Sequence, residues 1–165
     1  MTCRAVISPC GLFRYLIEQE LTGDGPSASV CMVNPSTADG VVSDATKRKL
    51  DGFGARLNWS RYSIVNKHGF RATDVNALKV APDPIGPLND NHIISAMLAT
   101  DITVVAWGAL GKLPPQLRNR WRVVAGIAAA LNRPLYCWGV CADGHPKHPV
   151  MIGYDSQLVE WNPPL

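Results

Sequence analysis

The stretch of sequence that decides the fold is Ser29–Asp39, which reads SVCMVNPSTAD. It begins with a short apolar run that is typical of a buried parallel strand, and it changes abruptly to polar residues. Pro35 has no backbone N–H to donate to a neighbouring strand, so the strand must end before it. Asn34, Ser36 and Thr37 should therefore follow the carboxyl end of a central strand, where open α/β sheets place their ligands.

Three later stretches have the same build, an apolar strand followed by polar residues. They are residues 64–68 (IVNKH), 104–108 (VVAWG) and 136–149, which begins YCWG and ends GHPKHP. Helical patterns separate these strands, and the sequence therefore predicts an α/β fold, a three-layer αβα sandwich around a mainly parallel four-stranded sheet. Partial alternation over Leu12–Leu21 predicts an extra N-terminal edge strand, and Gln116–Leu131 is predicted to be the longest helix.

The composition indicates a single globular domain over residues 1–165. Hydrophobic residues make up 47% and charged residues 18% of the chain, which excludes a disordered protein. No apolar run approaches the ~20 residues that span a bilayer, and the first residues lack the pattern of a signal peptide. We therefore expect a cytoplasmic protein without a membrane partner, and a monomer. Its five cysteines are expected to be free thiols.

Charge and motifs exclude several classes of function. The net charge of +3 permits an anionic partner such as nucleic acid but does not require one. The chain has no Gly-x-Gly-x-x-Gly, Walker or Gly-x-Ser-x-Gly motif, so a dinucleotide-dependent oxidoreductase, a P-loop enzyme and a serine hydrolase are not predicted. The spacing of Cys137, Cys141, His145 and His148 does not fit a zinc or iron–sulfur site. We predict no metal and no cofactor.

The polar residues after the first two central strands are candidates for ligand binding. The Asn34–Thr37 segment could orient a water molecule or bind phosphate, although an ordinary turn at a strand end would look the same. Asn66 offers a donor and an acceptor, which suits the edge of a base, or it could simply close a turn. Arg71 could bind a phosphate, or it could be a surface charge beside a helix cap at Thr73.

The most unusual local string is GHPKHP at residues 144–149. His145 and His148 each precede a proline, which restricts their conformation, and Lys147 lies between them. A fixed imidazole can act as a general acid or base or stabilise a developing anion. The alternative is a pair of loop histidines that only hydrogen-bond to the backbone.

Five strings together resemble a known family. They are residues 32–39 (MVNPSTAD), Asn66 with 71–74 (RATD), 86–89 (GPLN), 106–108 (AWG) and 143–149 (DGHPKHP). Their order and spacing resemble the bacterial and phage domain-of-unknown-function family 1643 over nearly the whole chain. This resemblance implies a family but little about activity.

A more distant resemblance, to the uracil-DNA glycosylase superfamily, implies a function. Asn34-Pro35 is similar to that superfamily's water-positioning motif, Asn66 to its base-reading asparagine, and His148-Pro149 to the motif that supplies a histidine to the departing base. Trp107-Gly108 falls where the superfamily often has a Leu-Gly strand end. The resemblance implies a site at the carboxyl ends of a parallel sheet.

The resemblance predicts a DNA glycosylase-like enzyme that flips a damaged or modified base and hydrolyses its N-glycosidic bond, with DNA or a nucleotide as partner. Its catalytic residues would be Asn34, Asp39, His148 and His145, and Asp44 is an alternative carboxylate. The substrate-binding residues would be Pro35, Ser36, Thr37, Asn66, Phe53, Phe70, Arg71, Trp107 and Lys147. A non-catalytic nucleotide or nucleic-acid binding module, or a hydrolase or transferase of free nucleotides, remain alternatives.

Overall fold

The computed structural model describes residues 1–36 and 44–165 of the chain. Within these ranges the strands are β1 (Cys3–Ile7), β2 (Arg14–Glu20), β3 (Gly25–Met32), β4 (Trp59–Asn66), β5 (Ile102–Val105), β6 (Leu135–Cys137) and β7 (Val159–Glu160). The α-helices are α1 (Asp44–Arg56), α2 (Asn76–Val80), α3 (Asn89–Ala99) and α4 (Trp121–Ala130). Short 3₁₀ turns occupy Leu110–Lys112, Pro115–Arg120 and Pro149–Met151.

The strands form one mixed sheet in the order β1-β2-β4-β3-β5-β6-β7. Its centre is parallel from β4 through β3 and β5 to β6, while β1, β2 and β7 pair antiparallel at its two ends. The predicted α/β class is confirmed, but the predicted number of four strands is too small. The exposed side chains of β1 carry no alternating pattern, and β7 has only two residues, so neither is visible in the sequence.

The N-terminal strand was predicted at the wrong place in the sheet. Leu12–Leu21 contains β2, which was expected at the edge but is covered by β1 on one side and β4 on the other. Two neighbours explain why most side chains of β2 are buried or half-buried, including its first residue, Arg14. The edge position belongs to β1.

Successive side chains of each strand point to opposite faces of the sheet, so both faces carry apolar residues, and helices cover both. On β3, Val30 contributes to one hydrophobic cluster and Cys31 to the other. Helix α1 adds Leu50 and Phe53 to the first cluster, and α3 and α4 add Met97 and Val124 to the second. This arrangement leaves the carboxyl ends of the parallel strands at one rim.

The predicted long helix is divided in two. Where one helix was expected over Gln116–Leu131, the chain forms the 3₁₀ turn Pro115–Arg120 and then the shorter α4. Apolar residues three or four apart are compatible with both kinds of helix, so spacing alone cannot separate them. In the described ranges the longest helix is α1, with 13 residues, and no helix has the length and apolar character needed to cross a bilayer.

Candidate functional site

The His-Pro loop is fastened over the carboxyl ends of the central strands by backbone hydrogen bonds. Gly108 N, just after β5, donates to Pro146 O at 2.7 Å, and Lys147 N donates to Gly139 O at 3.0 Å. Gly108 has a φ of +80°, a conformation that side chains disfavour, and this lets the chain turn against the loop. His148 is thereby brought to the rim of the sheet, next to the end of β3.

A small polar cavity of about 170 Å³, here called the polar chamber, opens at the ends of β3 and β4. It brings together Asn34, Asn66 and His148, which lie far apart in the sequence. The chamber is lined by Arg14, Met32, Val33, Asn34, Ser36, Thr46, Ile64, Asn66 and His148. No carboxylate occurs among these described lining residues, so the chamber has a cationic and amide character.

A larger cavity of about 520 Å³, here called the apolar cavity, adjoins the polar chamber. The two share Val33, Asn34 and His148, which form a common wall. The apolar cavity is lined by Val33, Asn34, Val75, Trp107, Gly108, Ala109, Lys112, Leu113, Cys141, Lys147, His148, Val150 and Met151. Most of this surface is hydrophobic, and its cations are two lysines.

The side chain of Asn34 is held in a defined orientation. Its Nδ2 donates to Pro35 O at 3.0 Å and to Ala72 O at 2.8 Å. Because an amide nitrogen has two protons, both are used, and Oδ1 is the atom with which Asn34 can accept a hydrogen bond from a ligand or water. Asn66 is 4% exposed, and the end of its strand is fixed where Asn89 Nδ2 donates to Asn66 O at 2.9 Å.

The hydrogen bonds of His148 determine its proton position. Its Nδ1 accepts from the backbone N–H of Val150 at 3.3 Å, which caps the 3₁₀ turn that follows. Burial, assisted by the charge of Lys112, lowers the pKa of His148 below its usual 6.5. The ring is therefore neutral at neutral pH, and its proton lies on Nε2. His148 thus offers a hydrogen-bond donor where the two cavities meet.

His145 has different surroundings, although it was predicted as a catalytic alternative. It is 3% exposed, and its Nδ1 accepts from Trp107 Nε1 at 3.2 Å. Its ring lies among three tryptophans, with ring centres 4.9 Å from Trp121, 5.9 Å from Trp161 and 6.4 Å from Trp107. It lines neither the polar chamber nor the apolar cavity. The structure therefore separates His145 from His148.

Comparison with known proteins gives a family for this architecture. A family model described as a protein of unknown function, DUF1643, matches residues 14–150, which include every described residue that lines the polar chamber. The chain belongs to the DUF1643 family. No curated protein and no solved structure gives a significant match. The family predicted from the sequence strings is thus confirmed, and its description names no activity.

Three other predicted residues of the DUF1643 protein line the two cavities, and a fourth lies next to them in the chain. Ser36 lines the polar chamber, and Trp107 and Lys147 line the apolar cavity. Pro35 is buried behind the rim, where its carbonyl oxygen accepts from Ala72 N at 2.9 Å. Thr37 and Asp39 lie outside the described residues, as does the side chain of Asp44.

The two predicted stacking residues have other roles in this DUF1643 protein. Phe53 is 1% exposed in the core, where its ring stacks on Trp138 with centres 4.4 Å apart. Phe70 packs edge-on against Phe13, 6.0 Å between ring centres, and borders neither cavity. Both positions follow from tertiary packing that single apolar residues do not reveal in a sequence. Phe53 is therefore closed to a ligand in this structure, whereas a stacking role for the half-buried Phe70 stays a prediction.

Arg71, predicted to bind phosphate, lies close enough to Arg14 for its charge to contribute to the lowered pKa of Arg14. Arg71 Nη1 donates to Gly11 O at 3.0 Å, and Arg71 lines neither cavity. The lysines of the apolar cavity, Lys112 and Lys147, are better placed for an anion. Lys112 was not predicted, because nothing in its local sequence shows that its turn faces the His-Pro loop.

Two buried cations near the site were missed by sequence reasoning. Arg14, on β2, is 3% exposed, lines the polar chamber, and has a pKa lowered to about 10, mainly by burial. Lys67 is fully buried, and its Nζ, which lies 4.9 Å from the centre of the Trp107 ring, has no hydrogen-bond partner among the described residues. Burial lowers the pKa of Lys67 to about 8. Lys67 follows Val65 by two residues, so strand alternation gave a signal that its side chain faces the core.

Proposed function

We propose that this DUF1643 protein is a glycosylase-like hydrolase that binds a flipped nucleobase in the polar chamber and cleaves its N-glycosidic bond. The observation that carries the proposal is that Asn34, Asn66 and His148 line one chamber at the carboxyl ends of parallel strands. Enzymes that act on a base remove it from the stack and read it in a fitted pocket. The motif resemblance to the uracil-DNA glycosylase superfamily, and the helices on both faces of the sheet, support the same three-layer fold and reaction.

In this proposal, His148 stabilises the departing base. As the bond between C1′ and the base nitrogen breaks, its electron pair stays with the base, and the Nε2–H of His148 donates to the negative charge that develops. The neutral ring supported by the lowered pKa suits this role, because Nε2–H is then a fixed donor. The released base takes a proton from solvent.

Asn34 positions the attacking water in the same scheme. Its Nδ2 is held by two carbonyl oxygens, so Oδ1 accepts a hydrogen bond from the water whose oxygen forms the new bond to C1′. The second product is the sugar with a hydroxyl at C1′. Asp39, in the segment outside the described residues, is the carboxylate we propose to take the proton that the water loses.

The remaining residues hold the substrate. Asn66 hydrogen-bonds to the edge of the base, and Arg14 adds a buried donor to the same chamber. Lys112 and Lys147 neutralise phosphate, which fixes the position of the nucleic acid without reading its sequence. Trp107 forms part of the apolar wall beside them.

A single-turnover panel tests the proposal. Single-stranded oligonucleotides that each carry one uracil, hypoxanthine, 5-hydroxymethyluracil or alkylated purine are incubated with excess protein, and free base and alkali-labile sites are measured. We expect release of at least one base by the wild-type protein and its loss in His148→Asn. Binding of these oligonucleotides without release of any base would refute the enzyme.

The second candidate is a non-catalytic module that binds a nucleotide or modified nucleic acid through the same rim. It is favoured by one observation, the lack of a carboxylate among the described residues that line the polar chamber. A hydrolase or transferase of free nucleotides is the third candidate. It predicts product from mononucleotides and none from oligonucleotides, so the same panel with added mononucleotides separates all three.

A further inference from the structure

We infer that the apolar cavity is a second nucleotide subsite, so that the protein binds a single-stranded oligonucleotide in preference to a mononucleotide. The inference rests on the proposed function, because it assigns the base to the polar chamber and a neighbouring nucleotide to the apolar cavity. It names the class of substrate, a strand of at least two linked nucleotides.

The two cavities differ in the size of the ligand that each can hold. The polar chamber, at about 170 Å³, is smaller than the ~300 Å³ at which ordinary ligand pockets begin, so it holds one base but not a whole nucleotide. The apolar cavity, at about 520 Å³, falls within the ~300–1,000 Å³ range of such pockets. A base alone therefore leaves most of the available volume empty.

The wall that the two cavities share places them next to each other along one ligand. Asn34 and His148 border both cavities, so a ligand whose base lies in the chamber has its sugar beside these residues and its next nucleotide in the apolar cavity. A chain that continues from one cavity to the other passes His148. The two cavities thus form consecutive positions for one strand.

The chemistry of the larger cavity fits a second base. Its wall is mainly aliphatic and includes Leu113 and Val75. Trp107 borders it as a fixed, 3% exposed ring whose Nε1 donates to His145 and over which Lys67 Nζ lies. Single-stranded nucleic acid is bound through the faces of its bases together with cationic grooves, with little dependence on sequence, and an apolar wall suits such a face.

The charged residues that line the apolar cavity suit the phosphates of a nucleic-acid strand. Lys112 and Lys147 both line the apolar cavity, and its described lining contains no carboxylate. Lys147 is anchored by its backbone to Gly139, and Lys112 acts electrostatically on His148, which places both cations near the shared wall. Two lysines match the phosphates that join consecutive nucleotides. The modest net charge of +3 agrees with a short strand and not with an extended duplex footprint.

Equilibrium binding tests the inference without any cleavage. Thymidine 3′,5′-bisphosphate and the trinucleotide d(TTT) with terminal phosphates are titrated calorimetrically into the wild-type protein. We expect the trinucleotide to bind at least about tenfold more tightly, the effect of one stacked base. Equal affinities, or no binding of the trinucleotide, would overturn the inference.

Two variants locate the extra affinity. Ala109→Phe fills the apolar cavity, and Met151→Glu, at a position that is 66% exposed, adds a negative charge to its wall without risk to the core. Both should remove the advantage of the trinucleotide and leave the affinity for the bisphosphate within a factor of about two. Leu98→Glu on α3, 56% exposed, is the matched control and should change neither. An unchanged trinucleotide advantage in Met151→Glu would place the second nucleotide elsewhere.

The outcomes separate this inference from the proposed function. Tight trinucleotide binding without base release from any oligonucleotide refutes the hydrolase and keeps the subsite. Base release with equal efficiency from a mononucleotide and an oligonucleotide keeps the hydrolase and overturns the subsite.

Discussion

His145 and His148 lie three residues apart in one loop, each followed by proline, yet the fold gives them different surroundings. His145 is enclosed by three tryptophans, whereas His148 is half-buried where the two cavities meet. In both rings Nδ1 accepts a hydrogen bond, and burial lowers the pKa of both. The fold thus places His145 among tryptophans at the edge of a separate cavity of about 400 Å³, and His148 where the polar chamber and the apolar cavity meet.

The two histidines differ in the group that donates a hydrogen bond to Nδ1. His145 accepts from the buried indole of Trp107, which would otherwise lose its partner, and its own backbone N–H donates to Asp143 Oδ1 at 3.0 Å. His148 accepts from a backbone N–H at a turn and borders both cavities. We therefore expect His145 to contribute to stability and His148 to contribute to activity.

The largest expected effect is the loss of activity in His148→Asn. The asparagine Oδ1 can replace Nδ1 as acceptor for Val150 N–H, but the variant has no donor where Nε2 lies. Removing one donor to a developing anion lowers the rate about 10²- to 10³-fold. Single-turnover base release measures this, and thermal unfolding should show a nearly unchanged Tm. A rate within threefold (about 0.7 kcal/mol) of wild type would end the assignment of His148.

A smaller effect is expected for Lys67→Met, which changes the free energy of unfolding. Lys67 is the buried cation whose charge acts on His145. The folded protein releases the Lys67 proton with a pKa of about 8, while the unfolded chain keeps it to about 10.5. Between these values the unfolded state binds more protons, so wild-type stability rises with pH. The contribution is at most about 3 kcal/mol.

Urea unfolding of both proteins at pH 7 and pH 10 checks this prediction. At pH 7 the variant should be the more stable protein, because it lacks a buried ammonium without a hydrogen-bond partner. At pH 10 the difference should shrink as the amine of the wild type becomes neutral. A variant that is less stable at both values would show that the ammonium is well solvated or paired.

His145→Ala should destabilise the protein by about 2 kcal/mol and leave activity intact. The loss comes from the unpaired Trp107 N–H and from the space left among the tryptophans. For a chain of this size it corresponds to a Tm about 4–8 °C lower. Base release at 25 °C should stay within about threefold (about 0.7 kcal/mol) of wild type. A large loss of activity with normal stability would reverse the roles of the two histidines.

The smallest expected effects are shifts in the histidine pKa values, which separate the two environments. The charge of Lys67 lowers the pKa of His145, and the charge of Lys112 lowers that of His148. Of these two histidines, Lys67→Met should therefore raise the pKa of His145 and not that of His148, and Lys112→Met should raise the pKa of His148 and not that of His145. NMR titration measures both, and a shift of both signals by one substitution would show a shared environment.

Lys112→Met also gives a kinetic readout. Activity that needs neutral His148 should fall as pH drops below 6.5 and through the lowered pKa of that ring. In the variant this loss should begin at a higher pH, because the pKa rises. An unchanged acid limb would assign the limb to another group.

The sequence predicted where several central strands end better than it predicted the elements around them. The strands before Asn-Pro, Asn-Lys-His and Trp-Gly are apolar and followed by breakers, so the ends of these strands could be inferred. The exposed β1 and the two-residue β7 lack such signals, since their pairing is decided by neighbouring strands.

Three residues predicted to bind the substrate line neither the polar chamber nor the apolar cavity, for one physical reason. Phe53, Phe70 and Arg71 are individually plausible ligand contacts, but tertiary packing places them in the core, against Phe13 and near Gly11. Arg14 lines the chamber but was not predicted, because its position depends on the pairing of β2 with β4. Local patterns predict where strands end, whereas the fold decides which side chains meet there.

The most direct test of the account is a crystal structure of the protein soaked with a panel of free bases and nucleosides. We predict a base in the polar chamber, with its edge on the Asn66 amide and a ring atom within hydrogen-bond distance of His148 Nε2. A base bound elsewhere with the chamber empty, or a phosphate group in the chamber in place of a base, would contradict the assignment of the chamber as the base site.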